Sequence, residues 1–259
     1  MVGDYSLFER FAKSIECLPS CIPLTREILL AQQFRLYKDS ELEIYYVPFD
    51  YVNTEAKVVL VGITPGFTQM EIAYREARAG LLNGRPIEEI FKRTDGQASF
   101  AGEMRKNLIN MLDGIGLAEA LHIESSEALF SSHAYLAHST SVVRYAAFKK
   151  GRDGKLLDYT GYAPRLLAHP VLRGCYAQGL LLDELRSIGR TLIVPLGTCV
   201  SDVMQELVEK KLLAREQCLL GFPHPSGANG HRKAQYNSRR DGSERKVREW
   251  FERVTEAEE

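Results

Sequence analysis

Apolar residues along this chain follow two rhythms. Short, nearly unbroken apolar runs, Lys57-Val-Val-Leu-Val-Gly-Ile63 and Gln217-Cys-Leu-Leu-Gly-Phe222, each end in a turn rich in proline and glycine. Runs of this length and make-up read as buried parallel strands. Elsewhere the apolar positions recur at helical spacing. Leu7, Phe8, Phe11, Ile15 and Leu18 form one helical face, and a second helical run follows Pro23 from Leu24 to about Lys38. Glu43-Ile-Tyr-Tyr-Val-Pro48 reads as an edge strand ended by its proline. Further helices are predicted over about Gln69–Leu82, Gly102–Ile115, Val171–Ser187, Val200–Lys211 and Glu244–Val254, with a polar linker around Thr94–Gln97. Ala134–Val143, Thr191–Leu196 and Leu219–Phe222 read as strands, the first followed by a long basic loop through Gly161.

Strands alternating with helices predict an α/β fold: a single-domain, three-layer α/β/α arrangement with a central parallel sheet. The domain spans residues 1–259, with residues 1–50 as a helical extension packed on it. No repeat, low-complexity tract or linker marks a second domain.

Composition narrows the class. With 259 residues, 45% hydrophobic and 26% charged, the chain suits a well-buried core rather than disorder or membrane insertion. No apolar run approaches a membrane span, and the start, Met1-Val-Gly-Asp-Tyr5, lacks signal-peptide character. The five cysteines show no disulfide-scaffold pattern, which fits a reducing, cytoplasmic setting.

A net charge of -1 gives no global case for a polyanionic partner, yet charge is uneven. Between His231 and Arg248 stand Arg232, Lys233, Arg239, Arg240, Arg245 and Lys246, opposed by Asp241 and Glu244. Lys149-Lys-Gly-Arg-Asp-Gly-Lys155 is a second basic cluster. Such stretches suit phosphate contact, although a solvated helix face has the same composition.

The loops after the two apolar runs carry the candidate chemistry: Val61-Gly-Ile-Thr-Pro-Gly66, and Phe222-Pro-His-Pro-Ser-Gly-Ala-Asn-Gly-His-Arg232. Polar groups just beyond a strand lie at the carboxyl edge of an open sheet, where α/β proteins bind ligands. Small residues there let backbone approach a ligand closely.

This pair resembles the uracil-DNA glycosylase superfamily, whose first motif is a Gly-x-x-Pro-Gly type loop and whose second is His-Pro-Ser. Three intervening segments match in family order: Ser99-Phe-Ala-Gly-Glu103 with Leu108 and Gly114-Ile-Gly-Leu117; Thr140-Ser-Val-Val-Arg144; and Thr191-Leu-Ile-Val-Pro-Leu-Gly-Thr198. The resemblance runs from about residue 55 to 250. It implies a monofunctional DNA glycosylase that hydrolyses the N-glycosidic bond of a flipped-out pyrimidine to leave an abasic site. Water is the second substrate, no cofactor or metal is implied, DNA is the partner, and the protein is expected to be a monomer.

On this resemblance His224 donates a hydrogen bond to the departing base as negative charge develops there. Thr64 stands where relatives often carry Asp or Asn. Its hydroxyl can orient water but cannot act as a general base, for which Glu71 and Glu103 are the nearest sequence candidates. Phe100 stacks on the base. Ser141 stands where relatives commonly have an asparagine that reads uracil, and His138 is the alternative reader. Gly66, Gly197, Thr198 and Ser226 contact phosphates flanking the flipped nucleotide, while Asn229, His231, Arg232 and Lys233 lie where DNA is gripped and its stack entered. The small hydroxyl of Ser141 favours a bulky modified pyrimidine, such as a 5-substituted cytosine of viral DNA, over plain uracil. A catalytically silent nucleic-acid-binding module on the same fold is the competing reading. Cys17, Cys21 and Cys175 match part of the cluster ligands of an iron–sulfur branch, with altered spacing and Tyr145 about where a fourth cysteine belongs.

Overall fold

The computed structural model describes residues 5–20 and 23–258. Its strands are β1 (Arg35–Lys38), β2 (Leu42–Tyr45), β3 (Val58–Gly62), β4 (Ala137–Ser141), β5 (Ala146–Lys150), β6 (Leu156–Asp158) and β7 (Leu192–Pro195). Its α-helices begin with α1 (Ser6–Glu16), α2 (Arg26–Leu29), α3 (Phe67–Leu82), α4 (Ile87–Ala98) and α5 (Glu103–Asp113). They continue with α6 (Leu117–Ala120), α7 (Leu182–Ile188), α8 (Thr198–Glu209) and α9 (Arg232–Glu258). Among the described residues no helix is long and apolar enough to cross a membrane.

The fold is mixed α/β with a parallel sheet, and the chain forms two compact units, each drawn from separate segments. The first unit comprises the chain up to Val52, Thr64–Ser99 and Val143–Leu181. Its sheet is antiparallel, in the order β1-β2-β5-β6. Four expectations change here. The helix expected from Leu24 to Lys38 is a single turn, α2, followed by a short 3₁₀ turn and strand β1. The hairpin wins because Asp39 Oδ1 accepts the amides of Glu41 and Leu42, closing the turn that pairs β1 with β2. Strand β2 is interior, flanked by β1 and β5, because Pro48 lies beyond the paired residues and blocks no ladder bond. The basic loop after Val143 contains the hairpin β5–β6, whose turn is closed by Gly151 donating to the Lys155 carbonyl. The polar residues 94–97 lie inside α4 rather than in a linker.

The second unit comprises Asn53–Ile63, Phe100–Val142 and Leu182–Glu259. Its parallel sheet runs β4-β3-β7, in register Gly62↔Ser141 and Val61↔Pro195. Past β7 the expected strand at 219–222 is reduced to one parallel bridge, Ile193↔Cys218, with the pairing drawn upstream of the glycine. Val58 and Leu60 on one face pack with α5, α6 and α9 through Leu112, Leu117, Val247 and Trp250. His138 emerges on the other face and meets Glu184 of α7, so helices cover both faces. Of the helix expected at 171–187, residues Leu172–Leu181 form a ten-residue π-helix that belongs to the first unit, and Leu182–Ile188 are α7 of the second.

Candidate active site

The carboxyl ends of the parallel strands gather most of the candidate residues of the second unit. Strand β3 ends on Gly62, the first glycine of the Gly-x-x-Pro-Gly loop. A Cβ there would stand 3.1 Å from Ser141 Oγ and 3.3 Å from Phe100 Cε1, so its absence lets a hydroxyl and an aromatic ring share one space. Phe100 is buried and holds a left-handed backbone, φ 53°, a conformation that costs a bulky residue about 1 kcal/mol or more. The ring packs into the core of the second unit beside the ends of β3 and β4.

His138 is not part of this group. It is an odd number of residues from Ser141 on one strand and therefore faces the opposite side of the sheet. There its Nε2 lies 2.5 Å from Glu184 Oε1, with both side chains buried, which commits the ring to the core.

His224 lies in the loop beyond the Cys218 bridge. Its Nδ1 accepts the Ser226 amide at 3.2 Å, so in the neutral ring the proton sits on Nε2. Burial lowers its pKa below the ordinary histidine value, favouring that neutral form. No described residue accepts a hydrogen bond from Nε2. Beneath the ring, Gly197 adopts φ 99°, and a Cβ on it would stand 3.0 Å from His224 Cβ.

The rest of the loop braces itself. Asn229 Nδ2 donates to the His224 carbonyl and to Gln235 Oε1, while its Oδ1 accepts the His231 amide. Ser226 Oγ accepts the Ala228 amide. Arg232 Nη1 donates to the carbonyls of Pro225 and Ser226, at 3.2 and 2.8 Å.

These partners revise several expected DNA contacts. The Gly197 amide is given to the Phe222 carbonyl, so this glycine supplies room for His224 rather than a donor for phosphate. Asn229 and Arg232 spend donors on the loop. Further along α9, Arg239 donates to the Gly221 carbonyl and Lys246 to the carbonyls of Arg215 and Cys218, so part of the basic stretch is spent on loop carbonyls. Thr198, His231 and Lys233 remain exposed.

In the first unit, Thr64 Oγ1 donates to the Tyr145 carbonyl at 2.8 Å and accepts the Ala147 amide at 2.9 Å. Its single proton is used, leaving one lone pair. Tyr145 is buried with its hydroxyl on Asp50, which also accepts from Tyr46. The Gly66 amide goes to Gln69 and the Phe67 amide to Asp158, so the protein itself fills the start of α3. The two candidate bases are otherwise engaged: Glu71 is buried on the Leu24 amide and Glu103 pairs with Lys106 on the surface. Cys17 and Cys175 are exposed, and Cys21 lies outside the described residues. Among the described residues no group of three or more His, Cys, Asp or Glu could hold a metal ion.

A search of curated proteins finds a protein of Bacillus subtilis (strain 168), the uncharacterized protein YoxB, that is 40% identical over 250 residues, covering 96% of this chain and 94% of the relative. The chain belongs to the YoxB family. No sequence-family profile matches this YoxB-family chain. Among solved structures it is similar to the wild-type SMUG2 of Pedobacter heparinus, with a TM-score of 0.44 and 12% identity over 100% of this chain and 99% of that one. What the YoxB-family chain can do chemically is therefore read from its own residues.

Proposed function

We propose that this protein is a DNA glycosylase that hydrolyses the bond between deoxyribose and a flipped-out pyrimidine, leaving an abasic site. The observation that carries the reading is the state of His224: a partly buried neutral imidazole, its Nδ1 fixed by the Ser226 amide and its Nε2–H left as a donor. When the C1′–N bond breaks, its electron pair leaves with the base, and a neutral N–H donor near the base oxygen gains strength as that charge grows. A donor of this kind contributes about 3 kcal/mol where water is excluded. Water then adds to the cationic sugar and gives up a proton to solvent, while the departing base anion takes one up from it. Phe100, buried beside the strand ends, suits the face of the expelled base, and Ser141 offers its edge a single hydroxyl.

We further propose that a pyrimidine with a bulky or electron-withdrawing substituent is preferred over plain uracil. A base that leaves more easily asks less of the nucleophile, and residue 64 is a threonine, whose hydroxyl cannot serve as a general base near neutral pH. The silent-binding alternative draws on the same observation, since the Thr64 hydroxyl already serves Tyr145 and Ala147.

The test is incubation of the purified protein with oligonucleotides bearing uracil, mismatched thymine and 5-substituted cytosines, followed by alkali to reveal abasic sites. Wild type should cut at a substituted pyrimidine, and His224→Ala should lower that cleavage by about two orders of magnitude with folding intact. Tight DNA binding without any cleavage would turn the reading to the silent module. Robust uracil excision with no turnover of any substituted base would return it to ordinary uracil repair.

A further inference from the structure

Twenty residues along α9 from Arg232, about 30 Å at the rise of a helix, the second unit has a concavity that the glycosylase reading does not use. It lies between the Ile115–His122 turn and the last turns of α9, with a volume of about 470 Å³. That is the size range of sites for small organic molecules and is too confined for a folded partner's surface.

Its chemistry is one-sided. Ile115, Ala120 and Phe251 supply its apolar lining. Around it stand the carboxylates of Glu119, Glu244, Glu252 and Glu256, opposed by one guanidinium, Arg248. Glu244, Arg248 and Glu252 follow at four-residue intervals and so share one stripe of α9, where Arg248 offsets only part of its neighbours' charge. Glu119 and His122 come from the facing turn, which departs from Gly116 at φ 73° and ends on His122 at φ 56°. Nucleic-acid phosphate is repelled by such a rim.

We propose that this cleft binds a small amphiphilic amine: an apolar body seated on Ile115, Ala120 and Phe251, and an ammonium group among the glutamates. Carboxylates supply the charge attraction, and an aromatic face beside them adds a favourable contact for the same cation. An acid of the same skeleton meets repulsion, and a neutral analogue gains only the apolar lining.

Titration calorimetry of the full chain at low salt tests this with tryptamine, phenethylamine, octylamine and choline, each amine set against its carboxylate counterpart where one exists. At least one cation should saturate with a Kd of about 1 mM or tighter, while indole-3-acetate and phenylacetate give no saturable heat. The double variant Glu244→Gln/Glu252→Gln should weaken that binding about tenfold with an unchanged melting temperature, and Phe251→Leu should weaken it while preserving bulk. No saturable binding by any of the four cations overturns the proposal. So does equal binding by the matching acids or equal binding by the double variant. None of these outcomes depends on cleavage of DNA.

Discussion

Gly197 lies directly under His224: a Cβ on the glycine would approach the histidine Cβ to 3.0 Å and its Cδ2 to 3.3 Å. The turn after β7 and the loop beyond the Cys218 bridge thus meet because the first lacks a side chain at Gly197. The Gly197 φ of 99° is also a conformation that residues with a Cβ rarely adopt.

Gly197→Ala should therefore destabilise the protein by about 2 kcal/mol or more, from backbone strain and the clash together. It should also displace the histidine and lower cleavage. Gly227, in the same loop, has open space around its Cβ position, and Gly227→Ala should stay within about 0.5 kcal/mol. Urea unfolding of the two variants checks the contrast, and equal stabilities would remove the packing role of Gly197.

His224 sets a pH dependence. Its folded pKa is depressed by burial, so at low pH the unfolded state binds the proton more readily. The stability it contributes is complete above the ordinary histidine value of about 6.5 and is lost as pH falls through the lower folded value. Protonation also puts a hydrogen on Nδ1, against the Ser226 amide. The kcat/KM profile should hold steady down to about pH 6.5 and fall along a one-proton limb below it. A limb centred at or above that value would contradict the neutral, buried ring.

Arg232 and Lys233, adjacent at the start of α9, should behave differently. Arg232 Nη1 holds two carbonyls of the histidine loop, whereas the Lys233 side chain is exposed. Lys233→Gln should flatten the salt dependence of DNA binding by about one contact, a slope change near 0.9, with stability unchanged. Arg232→Gln should lower the melting temperature. Salt titrations and thermal scans of both variants separate the roles, and an unchanged slope for Lys233→Gln would place the interface elsewhere.

Cysteine reactivity should divide by burial. Cys199 and Cys218 are buried and their thiols are pushed up to about 11, while Cys17 and Cys175 are exposed. Iodoacetamide at about pH 8 should modify Cys17 and Cys175 in the native protein and reach Cys199 and Cys218 only after unfolding. Peptide mapping by mass spectrometry reads the order directly.

The sequence by itself determined what depends on neighbours along the chain. Val58–Gly62 had to be a buried strand, the turns after it had to bend at proline and glycine, and His224 between two prolines had to sit in a loop beyond a strand-like run. Period and turn chemistry are local properties, so they survive without knowledge of partners. Only the tertiary structure decided which side chains were already spoken for. His138 and Ser141 differ by three positions on one strand, and the pleat sends them to opposite faces, one to Glu184 and one to Gly62 and Phe100. The hydroxyl of Thr64 found its partners at Tyr145 and Ala147, about eighty residues away, and the Arg35–Lys38 segment became a strand because Leu42–Tyr45 was there to pair with it. A hydrogen bond is satisfied by whatever the fold brings within 3 Å or so, and that is settled by packing between distant segments, which no local pattern encodes.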